Sequence, residues 1–450
     1  MSFRIPENAR WLTDTRPYRL AHGIKQAVIQ AYNPLNRVIR LEPEKRTSGR
    51  VLISYYIEPY LLGPAKPIPR DHPYYWHASY WESTEMARSF VERGYAVDVI
   101  SWQNNRFIPR DTYEIVLDCR YNMERLAPLL PKGCLKIFHI DTAHMLFHDA
   151  AESQRLLALQ QRRGVTLRHR RFESANLGIE HADCATLYGS RFSQDTFSYA
   201  GKPMYRVPYS IPFLYPWPEG KDFELCRRRF VWLGSGGLVH KGLDLVLEAF
   251  ACMPEFHLTV CGPVSDEEDF ERAYSRELYS LPNIKTVGWV DHTSPQFIEI
   301  MRKCVGLVYP SCSEGCSGSA RIAIAGGLIP ILSYESSVDV HDFGMILPRS
   351  SVSEIRKAVT ALAALPAAEL QTMARKGWEY ARENHSRDRF AREWRRTLDS
   401  ILETKRASEV APSATKRASE VALCKSLAMF LVMYDISEAV SIVGGGSLLF

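Results

Sequence analysis

The chain has 450 residues, 46% hydrophobic and 24% charged, which suits two α/β domains and excludes global disorder. Its formal charge of +5, from 56 basic and 51 acidic residues, is too small an excess to argue for nucleic acid. Ten cysteines lie scattered without a C-x-x-C pair, the nearest two being Cys312 and Cys316, which points to a reducing compartment rather than a disulfide framework or zinc site.

The opening MSFRIPENARWL has neither the apolar run nor the cleavage site of a secretory signal, and no stretch approaches the roughly 18 apolar residues of a membrane span. A cytoplasmic protein is therefore expected. Residues 1–49 form a basic extension whose AHGIKQAVIQAYNPLNRVI has near-helical apolar spacing. That pattern fits first a solvated or domain-packed helix, the commoner case, and second one lying at the inner face of a membrane.

From Arg50 the sequence alternates. VLISYYIEPY reads as a buried strand, ESTEMARSFVERGY as a helix ending at Gly94, and AVDVISW as the next strand. YEIVLDC, CLKIFHI, the charged helix AAESQRLLALQQRRG and ADCATLYGS continue the pattern to about residue 207. Such alternation predicts a doubly wound parallel sheet. The Pro-rich PYSIPFLYPWPEG, 208–220, breaks it and reads as a stiff interdomain crossing. A second α/β domain is expected over 221–377: RFVWLGS, the helix KGLDLVLEAFACM, then strands FHLTVCG, IKTVGWV and VGLVYPS. A C-terminal helix over 378–403 follows. TKRASEVA then occurs at 404–411 and again at 415–422, two copies being too few for a solenoid and fitting a local duplication in a tail, 404–450.

Several catalytic patterns fail on spacing. The loop Gly234-Ser235-Gly236-Gly237 lacks the third glycine of G-x-G-x-x-G, where Val239 stands, and Leu243 stands where a P-loop needs lysine. Gly315-Cys316-Ser317-Gly318-Ser319 ends in serine, so it is not the nucleophile elbow. Two clusters remain. In the first, a strand enters a glycine turn, and Lys241 stands beside backbone amides that open a helix, a combination suited to a diphosphate. In the second, strand VGLVYPS leads into Glu314 and a run of small residues, where backbone can approach a ligand and a carboxylate can accept from sugar hydroxyls.

The order Gly234, Gly236, Lys241-Gly242, LDLVLEAF, Gly288-Trp289-Val290, YPSCSEG and AIAGGLIPILS resembles the retaining GT-B glycosyltransferases of family 4, closely over about 230–350 and in outline over 50–210. The resemblance implies two Rossmann-like domains facing a cleft and a nucleotide-sugar donor held by the second. It places Lys241 on the donor diphosphate and Glu314, the first glutamate of E-x7-E, on the donor sugar, with Gly315, Ser317, Gly318 and Ser319 beside them. Two departures stand out. Ile322 occupies the second glutamate's place, and Ser235 that of an arginine preceding the lysine. Arg321, next to Ile322, can restore positive charge near the phosphates or lie on a helix surface.

In the first domain, CLKIFHIDTAHMLFHD supplies His139, His144 and His148, of which His144 best matches the family's cleft histidine. The long aromatic loop around Trp76 and Trp81 offers stacking for an acceptor or simple packing. Arg162, Arg163 and Arg171 read as a solvated basic face. No D-x-D motif is present, so metal-independent transfer without cofactor or protein nucleophile is expected, from a nucleotide-sugar to a glycan or lipid-linked acceptor. Rival readings are a GT-B-fold glycan or partner binder without turnover, and an epimerase or phosphorylase of similar architecture.

Overall fold

The computed structural model describes residues 33–63, 68 and 72–407. Of the near-helical stretch over 21–39, residues 21–32 lie outside the described residues, as do the Trp76 side chain and most of the duplicated tail; its last residues do not continue a helix but make a 3-10 turn, Pro34–Asn36, and enter a strand at Val38. Both sheets fall within one compact unit that ends at Trp394.

The first sheet has seven strands, β1 (Val38–Leu41), β2 (Arg50–Tyr55), β3 (Ala96–Ser101), β4 (Ile115–Asp118), β5 (Leu135–Ile140), β6 (Cys184–Leu187) and β7 (Met204–Arg206), in the order β1-β3-β2-β4-β5-β6-β7. All pairings are parallel except β1 with β3. Sequence periodicity starts this sheet at Arg50; the structure adds β1, a short antiparallel edge. β3 and β4 are buried throughout and β2 from its second residue, which is why they read as unbroken apolar runs. Asp98, one of the buried polar side chains in these strands, accepts from Arg50 Nη1 at 2.8 Å and Tyr113 Oη at 2.6 Å.

The second sheet, β8 (Arg229–Leu233), β9 (His257–Cys261), β10 (Ile284–Gly288), β11 (Gly306–Tyr309), β12 (Ile329–Ser333) and β13 (Met345–Leu347), is wholly parallel in the order β10-β9-β8-β11-β12-β13. That is the Rossmann order, with its reversal between β8 and β11. The short β7 and β13 carry too few residues for periodicity to reveal them.

Seven helices matter below: α1 (Ala78–Val91), α2 (Met145–Arg163), α3 (Arg191–Thr196), α4 (Leu243–Ala251), α5 (Gly318–Ala325), α6 (Ala367–Asn384) and α7 (387–407). Helix α2 follows β5 of the first sheet but does not stay with it. Leu159 is buried in the second domain's core, Arg162 pairs with Asp244 at 2.7 Å and Glu248 at 2.9 Å, and Arg163 with Glu277 at 2.9 Å. Arg162 and Arg163 are thus interdomain ties, not a solvated face. The chain returns to the first domain through α7, where Trp394 Nε1 donates to Ser89 Oγ at 2.8 Å and Phe390 packs edge-on to Trp81. Trp81 therefore serves the packing of α1.

Burial has a pH consequence. His139, His240 and His385 are each pushed down to about 3, burial being the first cause in every case. An unfolded histidine titrates near 6.5, so below that pH the unfolded chain binds protons that the folded one refuses. The folded state keeps its full stability from these groups above about pH 6.5 and loses it as pH falls toward 3, on the order of 1.4 kcal/mol per pH unit per histidine. Melting temperature should accordingly drop between pH 7 and 5; a flat profile there would show these rings to be solvated.

Candidate active site

Open α/β sheets bind ligands beyond the carboxyl ends of their strands, where the strand order reverses. In the second domain that place lies between β8 and β11, and the loops leaving these two strands carry the two sequence clusters. Lys241, 5% exposed, donates from Nζ to Glu314 Oε1 at 2.8 Å and to Tyr309 Oη at 3.1 Å. The same carboxylate oxygen accepts from Tyr309 Oη at 2.7 Å and Ser311 Oγ at 3.2 Å. Burial works to raise the Glu314 carboxyl but is overridden by the charges of Lys241, His240 and Arg171, which hold it well below the usual carboxylate range. Glu314 is therefore ionised, with Oε2 accepting from none of the described residues.

Downstream, Ser317 caps α5 by accepting from Ala320 N at 3.2 Å. The N–H groups of Gly318 and Ser319 find no acceptor among the described residues, leaving them for an anion. At the end of β8, Gly234 continues the sheet through its N–H to Cys261 O, and Gly236 follows in the turn. The helix-start amides are less open than the sequence implies: Gly237 and Leu238 both donate to the buried carboxylate of Glu267.

The first domain closes over this site. Gly315 lies so near it that a Cβ there would stand 2.1 Å from the Asp141 carbonyl oxygen. Ser193 Oγ on α3 donates to the Gly315 carbonyl at 2.7 Å, and Ser190 N to Ser337 Oγ at 3.0 Å. His148 Nε2 donates to the Arg171 carbonyl at 2.7 Å, leaving Nδ1 to accept from Ser313 Oγ at 3.1 Å. Its ring lies 4.6 Å from that of His240, whose Nε2 donates to the Ser313 carbonyl.

The structure thus brings together Lys241, Glu314, Gly315, Ser317, Gly318 and Ser319, with Gly234 and Gly236 on the neighbouring turn. It places two other candidates elsewhere. His144 is the N-cap of α2: Nδ1 accepts from Leu146 N at 3.3 Å and the ring packs on Phe197 and Tyr199. One turn later, His148 is the histidine that meets the second domain. Arg321, 2% exposed, lies over the Tyr209 ring and donates to the carbonyls of Tyr209 and Ser210. It ties α5 to the crossing segment, where Glu82 also accepts from Ser210 N and Tyr188 Oη. Ile322 packs half-buried against the domain core. Among the described residues no three His, Cys, Asp or Glu side chains converge as a metal site requires.

Two Rossmann-like parallel sheets, joined by a crossing segment and closed by a returning C-terminal helix, constitute the GT-B architecture. No protein-family model and no curated protein matches the chain. Among solved structures it is similar in fold to sucrose-phosphate synthase from Thermosynechococcus elongatus, with a TM-score of 0.54 and 14% identity over 79% of this chain and 100% of that one. The Anabaena protein HepE, solved with UDP and glucose, aligns at TM-score 0.46 and 12% identity, covering 79% of this chain and 99% of that one. S. aureus TarM, solved with fondaparinux, α-GlcNAc-glycerol and UDP, aligns at 0.44 and 11%, over 64% of this chain; the chain spans 55% of TarM's length.

Proposed function

We propose that the protein is a glycosyltransferase that moves a sugar from a nucleoside-diphosphate donor to a hydroxyl of a glycan or lipid-linked acceptor, with retention and without a metal. The observation that carries this reading is the buried Lys241–Glu314 pair at the strand-order reversal, covered by the opposite domain. During transfer the bond from the anomeric carbon to the β-phosphate oxygen breaks and its electron pair goes to the diphosphate. In this reading Lys241 and the free amides of Gly318 and Ser319 stabilise that growing negative charge. Glu314 Oε2 is available to a donor-sugar hydroxyl. The acceptor oxygen bonds to the anomeric carbon on the same face, and its proton leaves with the diphosphate. The two domains hold the reactants in register and exclude water. Polysaccharide or surface-glycan assembly at the cytoplasmic face of a membrane is the setting that the family resemblance suggests.

The test is a thermal-shift screen of the full chain against UDP-, GDP-, ADP- and CMP-sugars, followed by product analysis with the donor that binds, because a ligand of the folded state alone raises its melting temperature. A diphosphate-linked donor should shift the melt and be consumed with an acceptor. Absence of any shift and any turnover would favour a binder without catalysis.

A further inference from the structure

The loop 164–177, between α2 and the short helix at Gly178, has no regular secondary structure from Val165 on, yet it is held tightly. The buried Glu152 carboxylate accepts from the backbone N–H of Arg170 and of Arg171, both at 3.0 Å, and from His169 Nδ1 at 3.1 Å. Asp149 accepts from Glu173 N at 2.9 Å. On the other side, Asp269 of the second domain accepts from Arg168 N at 2.9 Å and from the Arg170 guanidinium. This strap is therefore fastened to both domains.

Arg171 is the residue so positioned over the glycine turn. Its N–H is fixed by Glu152 and its carbonyl by His148. Its aliphatic stem lies on Gly237, where a Cβ would stand 2.6 Å from Arg171 Cγ and where φ is +86°. Only glycine combines that backbone conformation with that approach. Four nearby cations are neutralised: Lys241 by Glu314, Arg170 by Asp269, Arg162 by Asp244 and Glu248, Arg163 by Glu277. The Arg171 guanidinium pairs with no carboxylate among the described residues, and the side chain is exposed. Its charge nevertheless reaches the site, since it acts on Glu314, Tyr309 and His148.

A fixed stem carrying an unpaired, planar cation is what a phosphate-binding arginine requires. We infer that Arg171, delivered from the first domain by the 164–177 strap, binds the donor's diphosphate opposite Lys241 and supplies the positive charge that the second domain lacks at Ser235. The inference rests on the donor-site reading above. It makes the diphosphate site a joint property of both domains, assembled only when the strap lies on the glycine turn.

The test is calorimetric titration of the full chain with UDP, GDP and ADP, and with the corresponding nucleoside monophosphates, on the wild type, Arg171→Ala and Arg171→Lys. Wild type should bind one nucleoside diphosphate, and Arg171→Ala should weaken it by about 10- to 100-fold, as loss of a charged hydrogen-bonded contact does. Affinity for the matching monophosphate should fall less, and Arg171→Lys should recover part of the loss. A strap displaced for structural reasons would weaken both ligands alike, and that result would overturn the inference, as would an Arg171→Ala affinity within twofold of wild type. If the wild type itself binds none of the three diphosphates, the donor-site reading falls and the inference with it.

Discussion

Replacing Lys241 by alanine should lower kcat for sugar transfer by about 10²- to 10³-fold, the range seen when one preorganised donor to a developing oxyanion is removed. The expectation follows from position: the ammonium is buried between Tyr309 and Glu314 at the strand-order reversal, where its field is screened less than at a surface. The substitution also leaves Glu314 buried with only Tyr309 and Ser311 donating to it. Stability should therefore fall by about 3–5 kcal/mol, the usual cost of breaking a buried pair. Turnover must be measured at saturating donor on protein shown by its melt to be folded at the assay temperature. A loss of less than tenfold in such protein would remove Lys241 from the chemistry.

Gly315→Ala should act through a different link, domain closure. The added methyl would stand 2.1 Å from the Asp141 carbonyl oxygen and 2.6 Å from Thr142 N. Neither obstacle is the end of a flexible side chain; both are backbone of the first domain. The smallest substitution can be accommodated only by moving the first domain away from the Glu314 loop, which breaks the Ser193–Gly315 hydrogen bond. Since a displacement of about 1 Å costs on the order of 10² in rate when reactants must be aligned, transfer should fall by at least that factor. Small-angle scattering should show a larger radius of gyration, with the melt of each domain little changed. Full activity with unchanged dimensions would show that the contact is not needed for closure.

Other features of the site were unequally legible in the sequence. Lys241 and Glu314 could be found because each follows an apolar strand, and strand ends at a chain-order reversal are where such sheets bind ligands. His144 and His148 could not be separated by type or spacing. What distinguishes them is that His144 is the N-cap, held by Leu146 N and turned onto Phe197 and Tyr199, while His148 lies one turn on against Ser313. Arg321 gave no sign of its place between the crossing-segment carbonyls, which are more than 100 residues distant in sequence. Arg171 read as one more member of a basic run, and its difference from Arg162 and Arg163 depends on which carboxylates the second domain brings to each.

Local chemistry determined the elements. Apolar runs bounded by glycine and proline specified most strands of both sheets, and the helical spacing of α1 and α2 survived into the structure. Those signals are short-range, since they express backbone propensity and the burial of one face. The tertiary structure alone decided the assignment of charges. Whether an arginine ties two domains, braces a crossing or remains free beside the glycine turn depends on a carboxylate or carbonyl supplied from far along the chain. Electrostatic pairing is governed by distance in space, which sequence spacing does not encode.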